Sequence, residues 1–477
     1  MKNFNKKIAL IAALACAGTM LAGCNSNTTD DGGNTGGGNA PAADGGNAGG
    51  GDSGNAGGGD APAPAPAADL ADDGDKLTIL CWTGDDIDPM IDYFVANSDY
   101  TKDQVTWVQV GTSGGEAREQ YQQYLSGGED ADLLILEADW ILQYLNDQYT
   151  VPLSSLGIDK GDYSNAYSYT TAIGTDESGT LRAATWQCAP GGYAYRADLA
   201  EQYLGVTSPE EMQAKIGDWS KFEEAAKTVS EASGGKTAMA ATLGGMWQVY
   251  QYNRSQPWVV NNKVVLDNAE NFLDIAKTYR ENNWVTDVGQ WSDAWYAIGQ
   301  DDSTMGYFFS TWCLGSGAML SNAEGGEGGA TYGKYNLCPG PSGYAWGGSW
   351  LAPSTKCNNK TMAADFVKMF TVNTDTMKGY ALSKGEFVNN KAAMQAIVDE
   401  KSNSNPLLGG QDQFAVLMDS ANAIKMDGLI TKYDSAIKEQ FNNAVTDYVD
   451  GKYATKEDAL NGFQDAVAAI YPDFDWD

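Results

Sequence analysis

From Leu77 onward the chain switches between two apolar spacings. Leu77-Thr-Ile-Leu-Cys-Trp82 is a short β-leaning apolar run. Ile87, Met90, Ile91, Phe94 and Val95 then recur at the three-and-four spacing of one helix face, which predicts a helix over 87–97. The alternation repeats as a strand at Val105–Val110, a helix at Glu116–Ser126, a strand at Leu133–Leu136 and a helix at Asp139–Asn146. Strands alternating with helices predict right-handed crossovers and a parallel sheet covered on both faces, an α/β architecture. From Leu199 the pattern turns helical, with segments at 220–233, 269–283 and 293–300. A strand-like stretch returns at Trp346–Pro353, followed by a helix at Thr361–Phe370 and a helical tail over 412–471.

Ligands of such sheets sit beyond the carboxyl ends of the strands. That rule puts Trp82 with Asp85 and Asp86, the turn Gly111–Glu116, and Glu137–Trp140 on one rim.

The first 75 residues follow neither spacing. Lys2, Lys6 and Lys7 precede an apolar run from Ile8 to Leu21, the signature of an export signal too short to span a bilayer. It ends in Leu21-Ala22-Gly23-Cys24, which resembles the bacterial lipobox, whose cysteine is diacylated and becomes the new amino terminus. Residues 25–75 are Gly, Asn, Ala, Asp and Pro with almost no large side chains. Such a segment cannot bury enough apolar surface to offset its ordering entropy, so a flexible tether over 24–75 is expected, with a reach of roughly 40 Å. No later run approaches the length of a membrane helix. The expected product is a monomeric globular body leashed to the outer face of the cytoplasmic membrane, as at a Gram-positive-type cell surface.

Composition closes several doors. The body exceeds what one hydrophobic core supports and suits two domains. Against 30 Lys and Arg stand 63 Asp and Glu, a formal charge of −33 that argues against nucleic acid. The chain has no histidine, which removes Ser-His-Asp and Cys-His nucleophile systems and the usual zinc ligands. Beyond Cys16 and Cys24, five cysteines remain, Cys81, Cys188, Cys313, Cys338 and Cys357, with no CxxC spacing. No metal and no cofactor is expected. Gly111-Thr-Ser-Gly-Gly115 matches a nucleophile elbow, but without histidine its serine lacks a base. Gly234-Gly-Lys-Thr237 is half a phosphate-binding loop, with Ser230 where the first glycine belongs.

Four stretches resemble the extracytoplasmic sugar-binding lipoproteins of ATP-binding-cassette importers, the family that includes maltose-binding protein. They are Ser126-Gly-Gly-Glu-Asp-Ala-Asp-Leu-Leu-Ile-Leu136, with Ala131 in place of the usual proline, and Ala184-Thr-Trp-Gln-Cys-Ala-Pro-Gly-Gly-Tyr-Ala-Tyr-Arg196. Met305-Gly-Tyr-Phe-Phe-Ser-Thr-Trp312 is the third, with Ser310 where glycine is commoner. The most specific is Gly347-Gly-Ser-Trp350-Leu-Ala-Pro-Ser-Thr-Lys356 with the helix that follows. The resemblance implies a two-lobed periplasmic-binding-protein-like fold with discontinuous lobes around a ligand cleft: 76–186 with 347–398, and 187–346 with 399–477. It also implies a carbohydrate ligand, an ABC permease as partner and a separate polypeptide as its ATPase.

An indole offers a flat apolar face to the C–H face of a pyranose and one donor besides. Of the fourteen tryptophans, Trp107 and Trp219 read as structural. Trp82, Trp186, Trp312 and Trp350 fall at strand ends or on matched crossings and are the leading cleft candidates, ahead of Trp140, Trp258 and Trp295. For the hydroxyls, carboxylates are suitable acceptors. Asp139 is the first candidate, although Asp is also a natural helix N-cap; Glu116, Asp85 and Gln411 follow. A glycoside hydrolase would use the same residue types, but no paired acid and nucleophile can be identified. A surface adhesion lipoprotein, or a peptide or polyamine carrier, are further readings.

The anchor can be tested directly. Cys24→Ser is expected to abolish acylation while the body still folds and binds its ligand. In a detergent phase-partitioning assay the parent chain should enter the detergent phase and the variant the aqueous phase; equal aqueous partitioning of the two would refute the lipobox.

Overall fold

A computed structural model describes residues 64–112, 114–128, 130–315, 318–426 and 428–476. The expected signal sequence, Cys24 and most of the expected tether lie outside them. Eleven strands occur in chain order among the described residues: β1 (Leu77–Cys81), β2 (Val105–Gln109), β3 (Leu133–Glu137), β4 (Ala184–Thr185), β5 (Gly191–Arg196), β6 (Val259–Val260), β7 (Lys263–Val264), β8 (Gly306–Ser310), β9 (Tyr335–Cys338), β10 (Ser349–Pro353) and β11 (Asp475–Trp476). They form a five-stranded sheet in the order β2-β1-β3-β10-β4 and two three-stranded sheets, β8-β5-β9 and β11-β7-β6.

The first sheet is mixed, not the parallel sheet that alternation predicts. β1 runs parallel to β2 and β3, while β10 and β4 are antiparallel additions. Local periodicity reads only connections between neighbours in sequence. β10 arrives from about two hundred residues downstream, with no crossover helix to fix its direction.

The first core forms because these strands are apolar on both faces. Leu77, Ile79, Leu80 and Leu133–Leu136 have no exposed surface. Phe94 and Phe366 meet with ring centroids 5.0 Å apart, joining the helices Gly84–Ala96 and Lys360–Thr371 over the sheet. A second core surrounds β5 and β8, where Tyr193, Phe222, Phe308 and Tyr279 pack together. The tail helices Asp434–Val449 and Lys456–Ile470 close it through Phe441 and Phe463.

Two local expectations change. Segment 139–146 is no α-helix; it closes one 3-10 turn at Ile141–Gln143, through Tyr144 N–H to the Ile141 carbonyl. Its large side chains, Trp140, Ile141, Tyr144 and Leu145, are all buried, and packing rather than helical propensity decides the backbone. The carboxyl end of the expected tether is also fixed. Ala65 N–H donates to Thr180 Oγ1 (2.7 Å) and Ala68 N–H to Ser155 Oγ (2.8 Å). Leu70 packs against the first core. Asp72 accepts from Thr361 N–H (2.9 Å), at the amino end of the helix Lys360–Thr371, where a carboxylate offsets unpaired amides and the helix dipole. One apolar residue, one capping aspartate and a few backbone hydrogen bonds lay this strap on the body.

Asp132, in the loop entering β3, ties the first core together. Its side chain is buried and accepts from Thr78 N–H (2.7 Å), Asn358 N–H (2.9 Å) and Asn359 N–H (3.0 Å). Asp132→Ala leaves these donors without an acceptor, at about 1–3 kcal/mol for each one that water cannot reach. A total loss of about 2–4 kcal/mol is expected. Urea unfolding should show a lower midpoint with an unchanged slope; a loss below about 1 kcal/mol would show that water replaces the carboxylate.

Candidate functional site

Three lengths of chain pass between the first sheet and the β8-β5-β9 sheet, and they lie side by side. Asn389 N–H donates to the Trp186 carbonyl (2.8 Å), Cys188 N–H to Phe387 (3.2 Å), and Trp346 N–H to Ala189 (2.9 Å). Gly191 permits the closest approach, since a Cβ there would collide with the Tyr344 ring. The Tyr344 hydroxyl donates to the Gly192 and Phe309 carbonyls, both at 3.0 Å. Gly347 and Gly348 take φ of 69° and 113°, a bend that leads the third crossing into β10.

Around this bend the two halves face each other. Ala138 N–H donates to the Gly348 carbonyl (3.0 Å), bringing the end of β3 beside the crossing. A methyl group placed on Gly347 would stand 3.8 Å from Glu137 Oε1 and 3.9 Å from Trp312 Nε1, so a carboxyl from one half and an indole from the other flank this glycine. Trp312 Nε1 donates to the Trp346 carbonyl (2.8 Å). Trp291, Trp295, Trp312 and Trp346 form one cluster: Trp291 lies 4.8 Å from Trp295, 5.4 Å from Trp346 and 5.9 Å from Trp312, centroid to centroid. Across the junction Trp82 meets Trp140 edge-on at 5.9 Å.

Charges complete the rim. Glu137 Oε2 accepts from Asp139 N–H (2.9 Å), and Asp139 Oδ2 pairs with Lys438 Nζ at 2.6 Å, from the helix Asp434–Val449 in the other half. Lys432 likewise meets Glu177 at 2.9 Å, and Arg118 Nη1 donates to Ser435 Oγ at 3.3 Å. One end of this helix and its lead-in therefore latch the second half onto the first. Burial pushes the Glu137 carboxyl up to about 8, the Asp139 charge adding to the effect and Lys438 opposing it. Burial also raises Glu386 to about 8, with Asp86 beside it, and Asp86 to about 6. Beside the latch lies a groove of about 1100 Å³, lined by Arg182 and Asp147 on one side and by Lys432, Tyr433 and Tyr471 on the other.

The expected site residues separate into groups. Trp312 and Trp82 are half-buried at the junction, and Asp139 is exposed on its rim as an ion-pair partner and not as an N-cap. Trp140 is buried beneath Trp82 and Trp295 beneath Trp291, and neither Nε1 has an acceptor among the described residues. Trp186, a leading cleft candidate, is instead a core indole: it sits in the first crossing with 1% of its surface exposed, because that crossing packs into the first core. Asp85 is exposed beside the Thr83 cap, its amide donating to Thr83 Oγ1.

Four candidates are structural in this arrangement. Trp350 is buried and donates to the Thr170 carbonyl (3.0 Å), because the alternation of β10 turns it into the first lobe. Trp258 has no exposed surface; it packs on Phe441 and Phe463 with the Arg254 guanidinium 4.6 Å above its ring. Gln411 accepts from Leu337 N–H and donates to the Leu337 carbonyl, both at 2.8 Å, which completes the open edge of β9. Glu116 accepts from Thr112 N–H (3.0 Å) and Oγ1 (2.6 Å) at a helix start. Trp291, Trp346, Glu137 and Lys438 also belong to the junction, though the sequence does not single them out as ligand candidates. Three of them sit in loops or on a helix face that no strand-end rule reaches. Glu137 had a legible signal, as the last residue of an apolar strand on the rim.

The fold and this junction define a two-lobed ligand-binding protein. The chain belongs to the family described as "Bacterial extracellular solute-binding protein", whose model matches residues 94–409. It is a binding protein and not an enzyme. Among solved structures the fold is similar to an extracellular solute-binding protein of family 1 (TM-score 0.71, 20% identity, covering 82% of this chain and 99% of that one). It is also similar to the ABC-transporter-associated binding protein of B. animalis subsp. lactis Bl-04 in complex with beta-1,6-galactobiose (TM-score 0.64, 19% identity, 84% and 99%). Maltose-bound MalE3 of T. maritima is a third (TM-score 0.60, 18% identity, 83% and 99%). No curated protein matches the chain.

The raised carboxyls give the fold a pH dependence of definite sign. A carboxyl whose folded pKa lies above its unfolded value binds more protons when folded, so stability falls as pH rises from about 4.5 to 8. Glu137→Gln should flatten that decline, and adding Glu386→Gln should flatten it further. Urea midpoints measured from pH 5 to 8.5 check this; parallel profiles for parent and variants would overturn it.

Proposed function

We propose that this protein captures a short, soluble carbohydrate between its lobes and delivers it to an ABC permease driven by a separate ATPase. The observation that carries the proposal is the indole cluster around Trp312, standing with Glu137 and Asp139 where the two lobes face each other. Flat apolar faces beside hydrogen-bonding carboxyls suit a pyranose, which is apolar on its ring faces and polar on its edge. Relatives of the same fold were crystallised with beta-1,6-galactobiose and with maltose, which supports an oligosaccharide.

The mechanism is population shift. A ligand that touches both lobes binds the closed form more tightly, and closure is the state a permease can recognise. The lobes are assigned as 76–186 with 347–398 and 187–346 with 399–477. The mature chain is placed at the outer face of the cytoplasmic membrane by lipid on Cys24, as a monomer.

A thermal-shift screen over mono- to hexasaccharides tests this, because a ligand bound only by the native state adds RT ln(1 + [L]/Kd) to its stability. At least one soluble oligosaccharide should raise the melting temperature and perturb tryptophan fluorescence, with no new reducing ends. A flat screen would reject the reading. Given a sugar hit, Trp312→Ala should weaken binding by about 1–3 kcal/mol and spare the fold. Trp186→Ala should cost about 3–5 kcal/mol of stability, as a core indole does. Calorimetry and melting curves on both variants separate the roles; unchanged affinity in Trp312→Ala would remove that indole from the site.

A further inference from the structure

Trp291 is an indole in a place that packing does not explain. Its φ is +70°, the left-handed region where a bulky side chain crowds its own backbone. The conformation is imposed locally. Ser292 N–H donates to the Gly289 carbonyl (3.2 Å), closing a four-residue turn with Trp291 third. Ser292 Oγ holds the same carbonyl at 2.6 Å and accepts from Trp295 N–H at 3.2 Å, capping the helix Asp293–Ala297. The third position of a turn with positive φ is where glycine or asparagine normally stands.

Nor is the strain offset by full burial. Trp291 remains 39% exposed, in contrast to Trp295 beneath it at 2%. Yet it touches three other indoles, two of which, Trp312 and Trp346, stand beside Gly347 and Glu137 at the lobe junction. A residue that is both strained and incompletely covered is retained where the strain positions something for use.

We propose that Trp291 is the principal ligand-gripping residue of the cleft: the turn Gly289–Ser292 holds its indole up from the tryptophan cluster, and its uncovered face stacks on a sugar ring. This rests on the carbohydrate reading above. The three indoles behind it act as a rigid backing, so that little side-chain freedom remains to be lost on binding.

The experiment compares the full chain with Trp291→Phe, Trp291→Ala and Trp291→Gly, by melting curves and by calorimetry with the oligosaccharide that most stabilises the parent. Trp291→Ala and Trp291→Gly should bind about ten- to hundredfold more weakly, and Trp291→Phe should recover part of the loss. Without ligand, Trp291→Gly should melt above Trp291→Ala, because both lack the indole and only glycine escapes the left-handed penalty. Affinities of the Ala and Gly variants within twofold of the parent would overturn the inference while leaving carbohydrate capture intact. Trp291→Ala melting at or above Trp291→Gly would overturn the strained presentation. If the parent itself binds none of the sugars, the reading beneath the inference fails and the inference falls with it.

Discussion

Everything in this molecule hangs on three lengths of backbone that pass between two separately folded sheets. Each must satisfy its buried amides and carbonyls without becoming a sheet, because a sheet would lock the lobes at one angle. The solution is a sparse set of bonds between the crossings: Asn389 to Trp186, Cys188 to Phe387, and Trp346 to Ala189. Single bridges at Gln187–Val388 and Pro190–Ala345 stand where continuous ladders would otherwise run. Gly191 lets Tyr344 lie against the backbone, and the Tyr344 hydroxyl then ties β5 to β8 at their common end. Bending can concentrate in these few bonds while both cores stay intact.

The same crossings explain how the junction becomes a site. They leave a gap bordered by strand ends on one side and by the helix Asp434–Val449 on the other. Lys438, Ser435 and Lys432 lie along one end of that helix and its lead-in, and each meets a partner in the opposite half. These contacts are partly solvent-exposed, and pairs of that kind contribute little individually. Pairs of this kind can break and re-form at little cost.

Strand cores and long amphipathic helices were legible in the sequence because their signal is local. Leu133–Leu136 and the face of Lys360–Thr371 announce burial through spacing alone. The direction of β10 was not legible, since no periodicity encodes a pairing across two hundred residues. The tryptophans divide on the same ground. Trp82 and Trp312 follow the ends of β1 and β8, and that position is legible from the apolar runs alone. Trp350, matched to a crossing, lies within β10, and the strand's alternation turns it inward to Thr170. Trp258 and Gln411 were misjudged because their partners, Phe441 and Leu337, lie far away in sequence. Trp291 carried no signal at all, since nothing in a sequence flags a tryptophan at positive φ.

The strap from Ala65 to Gly74 makes its bonds to Thr180, Ser155, Thr361 and Asn358, all in the half built on the five-stranded sheet. Any tension on the chain at Pro64 is therefore delivered to that lobe alone. The other lobe carries none of it directly; the three crossings and the pairs made by the helix Asp434–Val449 and its lead-in join it to the first. The molecule is mechanically asymmetric: a pull on the strap loads one lobe directly and reaches the other only through the crossings and these pairs.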